Sequence, residues 1–260
     1  MTAPVLTFTP SPGAAPLVRM IRTQASMETR LLLRNGEQLL LALVIPLLVL
    51  IGGVESGNLV DLGPGRRVDV LTPGVLALAI LSTAFTALAI ATGFERRYGV
   101  LKRLGASPLP RAGLLAGKTT AVLVVETLQL LVIAIVGWAL GWHPRGGPLA
   151  VLDLVLLAVL GTAAFGALGL LVAGTLRAEA TLAAANLVYV LLLTGGGVVV
   201  PLNRYPGPAQ PFMEALPSGA LAEGMRGALS GSGLGLWHVL VLALWTVGAG
   251  ALTAKTFRWE

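Results

Sequence analysis

The sequence predicts an all-α polytopic membrane protein with six transmembrane helices, and three observations carry that reading. Hydrophobic residues make up 55% of the 260 and charged residues only 12%, with a mean hydropathy of +0.85. So few ionisable groups cannot clothe a soluble globule of this length. The apolar residues are gathered into runs near the roughly 20 that a helix needs to cross hydrocarbon, where lipid offers backbone amides no partner. Those runs are continuous rather than alternating, and they exceed the ~10 residues of a tilted barrel strand.

Residues 1–16 carry Pro4, Pro10, Pro12 and Pro16 and no compact apolar core behind positive charge, so they read as a disordered cytoplasmic tail rather than a cleaved signal. Residues 17–260 read as a single transmembrane domain. From Leu17 to Arg34, Arg19, Arg22, Ser26, Arg30 and Arg34 recur at steps of three and four, with Leu17, Met20, Ile21, Met27 and Leu31 on the other face, where Gln24 and Glu28 intrude. That pattern predicts an amphipathic helix lying on the membrane as an interfacial anchor.

The spans are expected at about 38–54, 70–94, 119–142, 148–176, 180–201 and 234–254. The first is short and contains Pro46; the second has no charge; only Glu126, in the third, sits deep in a span. Arg177-Ala178-Glu179 makes so tight a turn that spans four and five must be antiparallel neighbours. After span five, Gly195 to Gly197 and five prolines between Pro201 and Pro217 break the helix. Residues Ser218 to Leu229, about 18 Å long at 1.5 Å per residue, are too short to cross and read as short re-entrant helices in the outer leaflet.

Thirteen of the 18 Lys and Arg residues fall on the side of the N-terminal segment, the loop after span two, Arg177 and the C-terminus, against five on the other. The positive-inside rule then places both termini in the cytoplasm, with Trp138 and Trp142 at the outer interface. The net charge of +6 is concentrated on one membrane face, which fits anionic lipid rather than nucleic acid. With no cysteine and two isolated histidines, His143 and His238, neither a thiol nucleophile nor a metal site is expected.

Two polar segments remain. Ala112 to Thr119 imitates a relaxed phosphate-binding loop, but prolines precede it and a span follows, so Lys118 reads as the snorkelling cytoplasmic end of span three. The block Glu95 to Pro108 is different. Tyr98, Leu101 and Leu104 lie three apart with Val100 alongside, so a short helix would show an apolar ridge rimmed by Arg96, Arg97, Lys102 and Arg103. From the residues alone, this is either a docking shape or ordinary positive-inside charge.

Glu-Arg-x-x-Gly-x-Leu-Lys-Arg-Leu-x-x-Ser-Pro directly after a second span resembles the coupling segment of the permease subunits of ATP-binding-cassette exporters of the ABC-2 type, including drug-efflux permeases. The resemblance covers the whole chain, although the Pro-rich stretch 201–217 follows the family only loosely. It implies a permease, not an enzyme, for a hydrophobic or amphipathic substrate (drug-like, lipid or cell-envelope) exported across the plasma (inner) membrane. ATP and magnesium would be held by a separate nucleotide-binding subunit, present in two copies, and a second permease half, identical or paralogous, would complete the transporter. Carried over by position, Glu95, Arg96, Gly99, Leu101, Lys102, Arg103, Leu104, Ser107 and Pro108 become the coupling residues. Gly99 permits the bend, and Ser107-Pro108 stops the helix.

Glu126 needs a partner, because an acid inside the bilayer is costly. It lies about 12 Å inside span three at 1.5 Å per residue, a depth that Thr86 and either Asn186 or Tyr189 also reach. With Gln129 one turn away, these residues form either a substrate or gating layer or a hydrogen-bonded clamp between spans three and five. A buried acid with Pro46 and the Gly195 to Gly197 run also leaves open an ion-coupled secondary transporter. A membrane assembly scaffold is a further alternative.

Overall fold

The computed structural model describes residue 13 and residues 15–57 and 61–257, and among these it is helical with no strand. Most of the expected 1–16 tail and Arg258 fall outside the described residues. In chain order the helices are α1 (Leu17–Arg34), α2 (Gly36–Glu55), α3 (Arg67–Ile80), α4 (Leu88–Arg97), α5 (Val100–Gly105), α6 (Arg111–Ala139), α7 (Gly147–Thr175), α8 (Ala178–Gly195), α9 (Gln210–Glu214), α10 (Pro217–Ser230) and α11 (Leu236–Thr256).

Among the described residues, five helices are long and apolar enough to cross a membrane: Arg67–Arg97, Ala112–Ala139, Gly147–Thr175, Ala178–Gly195 and Leu236–Thr256. The first expected span appears as α2, 20 residues with Pro46 inside, of which Ala42–Glu55 forms a shorter apolar helix. Span three begins at Arg111, eight residues before its expected start, and span five stops at Gly195 rather than at residue 201. At span five the cause is local. Gly197 adopts φ +58°, and a Cβ on Gly196 would lie 2.0 Å from Ser218 Oγ, so the chain turns where only glycine fits.

Span two is the axis of the molecule. It is one helical rod in which α3 and α4 are joined by a π-helical stretch, Leu81–Ala87. That widened turn was not anticipated, since hydropathy does not register hydrogen-bond pitch. Val75, Leu76, Ile80, Leu81 and Phe85 are all fully buried and form the core with Leu157 and Phe165 of α7 and Leu221 and Met225 of α10. Small residues on α7 allow this approach: a Cβ on Gly169 would come within 2.8 Å of the Phe85 carbonyl oxygen.

α10, at about 21 Å and too short to span, packs against α3, α7 and α11. Arg226, one of the five basic residues expected on the outer side, is buried. Its guanidinium donates to the carbonyls of Gly197 (2.9 Å) and Val198 (2.6 Å) and to Glu223 (2.7 Å), which caps the glycine-rich break. Of the two expected interfacial tryptophans, Trp138 is exposed while Trp142 folds back into the core beside Gly137.

α1 packs along the start of α6. Gly113 and Gly117, four apart, form the seat: a Cβ on Gly117 would meet Gln24 Cγ at 2.7 Å. The helix buries Gln24, Ala25 and Glu28 against α6 and leaves Leu17, Val18, Met27 and Leu31 exposed. The two residues that interrupted its apolar face are therefore its inward contacts.

Candidate functional site

Below span two the chain makes a short excursion. α4 ends at Arg97, Gly99 takes the left-handed conformation (φ 67°, ψ 18°), and α5 begins one residue later. A side chain there would meet the Cβ clash that makes this region costly for other L-residues. α5 lasts six residues and stops where Ser107 Oγ donates to the Leu104 carbonyl (2.6 Å), before Pro108. Pro110 then supplies the N-cap position of α6. Both ends of the excursion are thus fixed by the residue types expected to fix them.

Its side chains divide into two groups. Lys102, Arg103 and Tyr98 are exposed; Arg103 bends back to donate to the Tyr98 carbonyl (3.0 Å), and Tyr98 lies beside Phe94 and under the Arg97 guanidinium. Leu104 is half-buried, whereas Leu101 is buried within the chain. The expected continuous apolar ridge is therefore absent, because a six-residue helix lying against its own protein must turn one of those three side chains inward. The outward surface of α5 is basic, with Tyr98 at its edge.

Glu95 and Arg96 do not join that surface. Glu95 Oε1 accepts from Lys118 Nζ at 2.7 Å, and Lys118 also pairs with Glu28 Oε1 of α1 at 3.0 Å, where Gln24 Nε2 donates as well (2.8 Å). Lys118 is 5% exposed, so it does not snorkel; it is the centre of a buried ion triad joining α1, α4 and α6. Arg96 donates to the carbonyls of Ala173 and Leu176 at the C-terminal end of α7, where a helix presents partial negative charge. Arg97 pairs with Glu179 at the start of α8. Sequence reading missed Glu28 and Lys118. The signal was there: a Gly113-x-x-x-Gly117 seat just ahead of the lysine.

The intramembrane polar residues form two separate connections rather than one layer. Glu126 is buried and its Oε2 accepts from Thr162 Oγ1 of α7, so its partner comes from span four and not span five. Depth fixed its height but not its direction around the helix. Gln129, three residues on and displaced by about 60° at 3.6 residues per turn, instead accepts from Thr83 of the π stretch (2.9 Å) and donates to the Ala42 carbonyl of α2 (3.1 Å). Thr86 lies three residues after Thr83, and its buried hydroxyl has no partner among the described residues. Tyr189 reaches span two weakly, accepting from Ser82 at 3.4 Å. Asn186 points away from the core and bonds its own helix at Leu182. No group of three His, Asp or Glu side chains that could hold a metal occurs among the described residues.

With this geometry in place, residues 17–230 match the model of a family described as ABC-2 type transporter. Two relatives, each described as a probable doxorubicin resistance ABC transporter permease protein DrrC, come from Mycobacterium tuberculosis strains CDC 1551 / Oshkosh and ATCC 25618 / H37Rv. Each is 28% identical to this chain over 242 residues, which is 91% of this chain and 87% of the relative.

Proposed function

The chain belongs to the ABC-2 type transporter family, and from that premise we propose that it is one membrane half of an ATP-driven exporter. Membership implies association with an ABC ATPase subunit. In the proposed assembly two copies of that subunit bind ATP and magnesium, and a second permease half, identical or paralogous, faces this one. Six spans, with α2 as the first, sit in the plasma (inner) membrane with both termini cytoplasmic, and α9 and α10 dip into the outer leaflet. The chain performs no chemistry itself; it moves a hydrophobic or amphipathic compound outward. The doxorubicin-resistance description of its relatives supports a drug-like cargo.

One observation carries this reading: a short basic helix hung rigidly between two long helices. α5 is clamped on one side by the Gly99 bend and on the other by Ser107-Pro108, and α4 beside it is tied to α1, α6, α7 and α8 through Glu95, Arg96 and Arg97. A push on Lys102, Arg103 and Tyr98 would therefore move several spans together, which is the rigid-body element that coupling requires. Glu126 bound to Thr162 fits a clamp between helices rather than an ion-binding site.

The test is transport in inside-out vesicles carrying this chain with its ATPase, using a fluorescent amphipathic dye. Accumulation should need ATP and both proteins. Dye movement driven by an ion gradient through this chain alone would overturn the proposal in favour of a secondary carrier.

A further inference from the structure

Between α1, α2, span two and α6 lies a cavity of about 190 Å³, lined along most of its length by Leu88, Ala91, Val122 and Val125. One end carries Glu28, Glu95 and Lys118; Thr83 lines the cavity twelve residues from Glu95 on the same rod, about 18 Å away at 1.5 Å per residue. It is a narrow apolar slot with a charged end.

The charges at that end do not balance. Two carboxylates share one ammonium, and Lys118 Nζ is committed to the Oε1 atoms of both. Glu95 Oε2 is buried and has no hydrogen-bond partner among the described residues. A buried carboxylate oxygen without a donor carries its full desolvation cost, so the site favours an incoming group that brings both positive charge and N–H donors. An anion would meet two carboxylates against one lysine. A neutral molecule without a donor would leave Oε2 unsatisfied, and a neutral hydroxyl would bond it without charge assistance.

We propose that this slot binds an amphipathic cation, its protonated amine at Glu28 and Glu95 and its apolar body along Leu88, Ala91 and Val122. The inference deepens the reading of the chain as an exporter and rests on it for its meaning, since the slot would then be a cargo site. α1 closes one side of the charged end and exposes apolar residues such as Leu31, itself a lining residue, so the slot borders the surface on which a membrane-dissolved compound would arrive.

The experiment is equilibrium binding of radiolabelled 1-naphthylmethylamine to the full-length chain in nanodiscs of zwitterionic lipid, without the ATPase. 1-Naphthylmethanol and 1-naphthylacetate serve as neutral and anionic probes. The amine should bind about tenfold to hundredfold more tightly than the alcohol, the worth of one charge-assisted hydrogen bond. Glu95→Gln should remove that preference, chiefly by weakening amine binding. Ala91→Phe, which fills the slot, should abolish binding of both amine and alcohol while thermal unfolding of the chain stays in place.

Equal binding of amine and alcohol, stronger binding of the acetate, or amine binding that survives Ala91→Phe overturns the proposal. Because binding is read without ATP, failure here with intact ATP-driven export removes only this inference. Selective amine binding without ATP-driven export removes only the exporter reading.

Discussion

Thr162 and Glu126 show what a single polar contact does inside this bundle. The hydroxyl donates to one oxygen of the buried carboxylate and so joins α6 to α7, while the other oxygen, Oε1, has no partner among the described residues. Hydrogen bonds between membrane helices contribute on average about 0.6 kcal/mol, so Thr162→Val should lower stability by about 1 kcal/mol once the orphaned carboxylate is included. Thermal unfolding in detergent reads that loss, and transport per assembled complex should stay normal; a severalfold fall in turnover at unchanged stability would instead make Glu126 part of the gate. Arg226 is a stronger case. Its removal takes the charge partner from Glu223, which keeps only the Leu202 N–H, and strands two buried carbonyls, so Arg226→Ala should cost about 3–5 kcal/mol and collapse the yield of folded protein. Wild-type yield and melting would contradict the role given to it. Neither partner set was legible beforehand. Residue counting along a span gives depth, but the azimuth that sent Glu126 to α7 and Gln129 to α2 and span two depends on how the helices pack.

Among the elements, the long helices were readable because a hydrophobic run declares its length, and α5 because glycine and Ser-Pro mark its ends in the sequence. The π stretch of span two was not readable, since an added residue per turn leaves composition unchanged. The role of two residues on α1 was misread for a physical reason. Gln24 and Glu28 looked like blemishes on a lipid-facing stripe, when they are the residues that face Gly113, Gly117 and Lys118. Gly117→Leu should therefore force α1 off α6, and proteolysis between residues 34 and 36 should become faster than in wild type; unchanged proteolysis would show that α1 is held elsewhere. Gly99→Val should cost about 1–2 kcal/mol from the left-handed backbone alone. It should also tilt α5, so the permease should still insert while the permease-dependent component of ATPase activity falls severalfold. Wild-type stimulation in that variant would mean that the bend does not set the angle of α5.

For the whole molecule, the account requires that the α5 end face the cytoplasm and that force enter there. The chain contains no cysteine, so single introduced thiols report topology cleanly. Ser232→Cys should react with a membrane-impermeant maleimide in intact spheroplasts, and Ala106→Cys should react only after permeabilisation; the reverse pattern would invert the molecule. Thirteen basic residues on one face made that orientation expected from the sequence, but how those charges are used was hidden. Arg96, Arg97 and Lys118 hold helices together, and only part of the basic block is left outward. The most direct measurement is therefore ATP-driven efflux by the Lys102→Asp, Arg103→Asp double variant in inside-out vesicles, normalised to inserted permease, with recovery of the ATPase in mild detergent measured alongside. The account predicts normal insertion, loss of ATPase recovery and efflux reduced to the no-ATP level. Efflux at the wild-type rate would contradict it.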